Sequence, residues 1–132
     1  MIKHSCSLLM LFILFTCCSK SAGVGGNSSI KGKVIVNNIN VLGDTLNVYE
    51  AQDHEIFIIY GNSNNTHDDK IETSYDGSFE FQYLNIGEYT LYTYSDCLNC
   101  PKGQDSVLSF TISIEERKEE IEIDDINIAN FI

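Results

Sequence analysis

The stretch Asp76-Gly77-Ser78-Phe79-Glu80-Phe81-Gln82-Tyr83, the break Asn85-Ile86-Gly87 and the run Tyr89-Thr90-Leu91-Tyr92-Thr93-Tyr94 hold most of the architectural information in this chain. Phe79, Phe81 and Tyr83 recur with a period of two, which sets them on one side of an extended strand. Asp-Gly ahead of such a run is a turn signal, because Gly accepts the positive φ that tight turns demand. Ile71 to Tyr75 is extended on the other side of the turn. Asp76-Gly77 is therefore predicted to close a hairpin joining the strands that contain Tyr75 and Phe79, with Gly77 at positive φ.

The same period runs outward in both directions. Ile30, Gly32, Val34 and Val36 alternate with Lys31, Lys33 and Ile35, and Leu46 and Val48 repeat the pattern. Ile56 to Tyr60 is a denser run that suits a central strand, and Asn62 to Lys70 is polar and reads as a loop. Val107, Phe110, Ile112 and Ile114 make another strand, and Ile121, Ile123, Ile126 and Ile128 the last. No window carries a helical stripe with caps. Seven or eight short strands with turns between them predict an antiparallel β-sandwich over residues 30–132. The single Pro fits long ladders that need every backbone N–H.

The chain has 132 residues, enough for one domain. Eight Lys+Arg against nineteen Asp+Glu give a formal charge of −11. A surface that acidic is repelled by phosphate backbones, so nucleic acid is excluded as a partner.

Residues 1–17 read as an export signal. Lys3 and His4 precede the apolar run Leu8 to Phe15, which is too short to span a bilayer as a helix. Thr16-Cys17-Cys18-Ser19 follows, and a cysteine directly after the apolar run resembles the lipobox of bacterial lipoprotein signals. The resemblance implies cleavage before Cys18, whose thiol would carry diacylglycerol on an acylated (palmitate-bearing) N-terminus; Cys17 is the competing position. Residues 18–29 are Gly/Ser-rich and are predicted to form a flexible tether behind the lipidated cysteine. The expected location is the cell envelope, anchored to a membrane by lipid. Surface-display signals in some Gram-negative lineages place acids just after that cysteine. Lys20 stands there instead, which favours the periplasmic face of the outer membrane.

Asp76-Gly77-Ser78-Phe79-Glu80-Phe81, with Leu84, Gly87, Tyr89, Thr90 and Leu91, resembles the core signature of the carboxypeptidase regulatory-like, or transthyretin-like, β-sandwich. Ile30-Lys31-Gly32-Lys33-Val34 resembles that family's opening strand. Ile86 stands where the family often has proline. The likeness covers Ile30 to about Ile123 and implies a non-catalytic accessory domain, with no catalytic residues and no cofactor to carry over.

Cys97-Leu98-Asn99-Cys100 has the spacing of a redox dithiol, but it follows a strand and no helix pattern comes after it to lower a thiol pKa. In an oxidising compartment the pair is expected to form a structural disulfide. His54 or His67 joining it would make a metal site instead. Asp53-His54-Glu55 and His67-Asp68-Asp69 lack the spacing of a calcium loop and read as solvated loops, with no metal expected. Glu115 to Glu120 reads as a charged hairpin turn. Asp44-Thr45-Leu46 and Asp105-Ser106-Val107 match a short O-glycosylation pattern, making Thr45 and Ser106 candidate acceptors. Two functions follow. One is a non-catalytic envelope lipoprotein presenting a sandwich to a protein or glycan. The alternative is an envelope redox or metal-handling protein built on Cys97 and Cys100.

Overall fold

The computed structural model describes residues 21–61, 66–101 and 104–132. The signal expected over residues 1–17, and Cys18 with it, lie outside the described residues. Nine strands follow in order: β1 (Val24–Ile39), β2 (Thr45–Glu50), β3 (Glu55–Tyr60), β4 (Asp69–Glu72), β5 (Ser78–Leu84), β6 (Gly87–Ser95), β7 (Ser106–Ile114), β8 (Glu120–Glu122) and β9 (Ile126–Phe131). They form two sheets, and no described residue is in an α-helix, as the period of two predicts.

One sheet is built on β1. Along one edge β1 pairs antiparallel first with β5 and then with β2; along the other it pairs parallel first with β8 and then with β9. The other sheet is antiparallel, in the order β4-β3-β6-β7. Alternate residues from the two sheets fill the space between them. Ile30, Val34 and Val36 meet Ile56, Ile58, Leu91 and Ile114, with Phe79, Phe81, Ile126 and Ile128 alongside.

Several sequence expectations need correction. Asp76-Gly77 is a tight turn, closed by Ser74 N–H donating to Ser78 O at 2.8 Å, but it joins no hairpin. β4 belongs to one sheet and β5 to the other, so the turn carries the chain between sheets. Ser78 decides its shape locally. Its N–H and hydroxyl donate to Asp76 Oδ1 at 3.1 and 2.6 Å, and those bonds hold the Asp76 carboxyl below the usual carboxylate range. The acidic run after β7 likewise crosses between sheets rather than closing a hairpin. The Glu119 carboxylate accepts the N–H groups of Glu115 and Glu116 there, both at 3.0 Å. The expected last strand is two strands, β8 and β9, separated by Asp124-Asp125, and Asp69 and Lys70 begin β4 rather than end a loop.

The tether also ends sooner than expected. β1 starts at Val24, and Ser28 and Ser29 are buried. Tyr89 fixes the segment just ahead of it. Its buried hydroxyl donates to Asn85 O at 2.6 Å and accepts from Gly23 N–H at 3.0 Å. A Cβ at Gly87 would fall 2.7 Å from that of Ala22, so a bare backbone is needed where the two segments meet.

Tyr83 departs from the alternation. Phe79 and Phe81 point inward, yet the next inward side chain is Leu84, 2% exposed, and Tyr83 is turned out at 68% exposure with φ 59°. A β-bulge causes the shift: Phe81 pairs with Ile30 and Leu84 with Ser28, three steps of β5 against two of β1.

Gly77 has φ 78°, the value expected of it. Its carbonyl accepts from Val34 N–H at 2.9 Å, and a Cβ there would lie 2.5 Å from the Val34 carbonyl oxygen. Gly77→Val should therefore lower stability by about 1–3 kcal/mol through backbone strain alone, with the clash adding to it. Thermal unfolding of the sandwich domain measures this, and an unchanged melting temperature would refute it.

Candidate functional site

The two ends of the sandwich differ in character. Gly87, Leu84 and the start of β1 share one pole with the incoming chain. The end of β6, the end of β9 and the β1–β2 turn share the other. At this second pole a cleft of about 400 Å³ opens between the sheets. Val36, Ala51 and Ile128 give it an apolar floor, while Tyr49, Gln52, His54, Asp96, Asp105 and Asn130 supply polar groups.

Each wall is held by the ladder behind it. Ser95 sits at the end of β6, where its hydroxyl accepts from Ala129 N–H of β9 at 2.8 Å. Asp96 continues the stitch: its N–H donates to Ala129 O, and its carboxylate accepts from Phe131 N–H, both at 3.1 Å. Asn130 donates to Asn38 Oδ1, and Asn38 donates to Asn47 Oδ1, both at 2.8 Å, so an amide chain runs from β9 across β1 to β2. The Ser95 and Asp96 bonds join the two sheets at the rim, and the amide chain braces the five-stranded sheet beside them.

His54 is placed from below. Thr73, buried in the connection after β4, takes the His54 N–H at 2.9 Å and donates its hydroxyl to Ala51 O. His54 Nε2 lies 2.6 Å from the Thr93 hydroxyl, which donates to Glu55 O at 2.7 Å. A hydroxyl has one proton, so Thr93 must accept from His54, and Nε2 carries the hydrogen. Partial burial holds the imidazole below its ordinary pKa, against the opposing charge of Glu55 and the Tyr94 carbonyl. The ring is a neutral, committed donor, unsuited as a metal ligand through that nitrogen.

Tyr94 borders the cleft and belongs to a second feature, an aromatic cluster on the outer face of the four-stranded sheet. Phe57 and Tyr92 are cross-strand partners whose rings stack at 4.9 Å with planes 12° apart. Tyr94 meets Phe57 edge-on at 5.7 Å, and His67 leans on Phe57 at 4.8 Å. Phe57 is thereby 8% exposed although it points away from the core, and Tyr94 remains 42% exposed at the junction with the cleft. The Lys70–Glu55 ion pair, 3.0 Å, flanks the cluster in solvent.

Cys97 and Cys100 form a disulfide in the connection leaving β6, with Cα atoms 5.5 Å apart. Asp96 on one side and Asp105 on the other both line the cleft, so the bridge shortens the loop that borders it. His54 and His67 make the contacts just described, and among the described residues no group of three or more His, Cys, Asp or Glu could hold a metal ion. Thr45 opens β2 and is exposed; Ser106 opens β7 and is half-buried. Sequence reading did not single out Tyr49, Gln52, Tyr94 or Asn130, which meet only through the sheet registers. Only Tyr92 and Tyr94 carried a signal, being bulky at the parity opposite to the inward Leu91 and Thr93.

The disulfide ring is short, so its loss should cost less than the roughly 3 kcal/mol of a 15-residue ring. Cys97→Ser with Cys100→Ser should lower the melting temperature modestly and leave the far-ultraviolet circular dichroism spectrum unchanged. Loss of the fold would contradict this.

No protein-family model matches the chain, and a search of curated proteins finds no match. Among solved structures, the chain is similar to a crystal structure from Pseudomonas aeruginosa described as a "putative carbohydrate binding protein". Identity is 10%, the TM-score is 0.48, and the match covers 83% of this chain and 92% of that one.

Proposed function

We propose that this chain is a non-catalytic envelope lipoprotein that holds out a β-sandwich whose far pole takes a neutral glycan. The observation that carries the reading is the opposition of the two poles: the chain comes in at the Tyr89 clamp, and the polar cleft lies at the other end of β6. Nine residues of β6 set the two about 30 Å apart.

The cleft's chemistry favours a hydroxyl-rich, uncharged ligand. Amides of Gln52 and Asn130 and carboxylates of Asp96 and Asp105 are the groups that hydrogen-bond sugar hydroxyls. Tyr49, 44% exposed and opposite the inward Val36 in the β1–β2 ladder, offers a ring for the apolar face of a sugar. Among the described residues no Lys or Arg lines the cleft, so an acidic polysaccharide would meet the carboxylates of Asp96 and Asp105 there. Acylation at Cys18 would supply the membrane attachment, since a multiply acylated N-terminus anchors stably. A protein partner in the envelope is the alternative occupant of the same pole.

An array of neutral, uronate-bearing and sulfated oligosaccharides tests the glycan reading. Binding should be confined to neutral members. Tyr49→Ala should weaken it about tenfold, or roughly 1.4 kcal/mol, while leaving the melting temperature near that of the parent. Binding only by acidic members, or indifference to Tyr49→Ala, would overturn the proposal.

The anchor has its own test. Cys18→Ala should release the protein from the membrane fraction or leave it as unprocessed precursor. Normal processing with membrane retention would move the anchor to Cys17 or remove it.

A further inference from the structure

We infer that the pole where the chain comes in is a lipid-contacting surface, with Val24, Tyr83 and Ile86 seated in the bilayer interface beside the anchor. This rests on the lipoprotein reading of the N-terminus and goes beyond it, because an acylated cysteine alone says nothing of where the domain sits.

Chain length makes the first argument. The described residues begin at Ser21, and the Tyr89 hydroxyl grips Gly23 two residues later. Four residues separate Cys18 from Gly23, and the five steps between them span at most about 18 Å when fully extended. A twelve-residue tether would have let the domain stand clear of the headgroups. This one keeps the pole against them.

The side chains at that pole make the second. Val24, Tyr83 and Ile86 are 63%, 68% and 41% exposed. They converge because Val24 pairs with Leu84, next to Tyr83, and Asn85 ties across to Val24 O at 3.1 Å with Ile86 following. Tyr83 is the telling member. Alternation would have buried it; the bulge and a left-handed backbone turn it out instead, at a conformational cost a non-glycine residue rarely bears. An aromatic ring with a polar tip suits the membrane–water interface.

Charge sets the limits of the contact. Arg117 and Lys118 lie at the tip of the β7–β8 connection at the same pole, where Lys118 N–H donates to Asn27 Oδ1 at 3.1 Å. Glu88, Glu115 and Glu116 lie beside them at that pole. The cations are thus offset locally, and the apolar trio, rather than attraction to anionic lipid, holds the domain down.

The chain contains no Trp, which makes a clean test possible. Tyr83→Trp, Ile86→Trp and Leu42→Trp would each be made in the full chain, exported, and reconstituted as the processed protein into phosphatidylethanolamine–phosphatidylglycerol vesicles carrying brominated acyl chains. Leu42, in the β1–β2 turn at the far pole, is the reference, and Ile86→Trp covers the case in which the strained position 83 tolerates no change. Emission from positions 83 and 86 should shift to the blue and lose intensity to bromine quenching, while position 42 stays unquenched. Vesicle-bound protein with all three unquenched, or all three quenched, would overturn the docking inference and leave the anchor standing. Protein that fails to float with the vesicles would remove the anchor, and the docked pole with it.

Discussion

Everything in this domain depends on the hydrogen-bonding edges of β1. A strand of sixteen residues presents N–H and C=O groups along both sides, and buried ones must find partners. No single neighbour is long enough. β5 and β2 divide one edge and β8 and β9 the other, and the handover on the first edge falls at Val34. There the Val34 N–H goes to Gly77 O at 2.9 Å and its carbonyl takes Ala51 N–H at 3.0 Å. The turn at Asp76-Gly77 thus fills the gap between two strands, and this explains its place between the sheets rather than inside a hairpin.

A strand that runs the length of the sandwich also gives it two poles of different kinds. Tyr89 ties the incoming chain to the first pole from within the core, and Ser95 and Asp96 lace β6 to β9 at the second. The lacing holds the sheets together while leaving their rims apart, which is how a cleft forms where a closed end would be expected. Polar groups gather there because the strand ends and loops place them there, not because any sequence motif encodes a site. The disulfide belongs to the same arrangement, as a clasp on the loop between two lining carboxylates.

Much of the fold was legible in the residues. Period-two alternation marks β1, β3, β5, β6 and β7 directly, because half-burial of a pleated strand leaves no other pattern. The positive φ of Gly77 and the Cys97–Cys100 bridge were also legible, one from turn chemistry and the other from spacing and compartment. Three readings failed for one shared reason. Asp76-Gly77, the acidic run after β7 and the outward Tyr83 all depend on which strand lies next door, and local pattern does not carry that. Ser19 to Ser29 misled differently. Gly and Ser favour a flexible chain on composition, yet Ser28 and Ser29 are buried in the longest strand because β5 and β8 are there to pair with it.

The sequence by itself determined that the chain is all-β and strongly acidic, and that its N-terminus resembles a bacterial lipoprotein signal. These follow from composition and short-range periodicity, which are local properties. Tertiary structure alone decided that β1 takes four partners, that Tyr49, Gln52 and Asn130 line one cleft with Tyr94 at its border, and that Tyr83 leaves the core for the pole where the chain comes in. Those are matters of register. They are set by pairings between residues such as Asn38 and Asn130, 92 positions apart, and no window along the chain is wide enough to contain them.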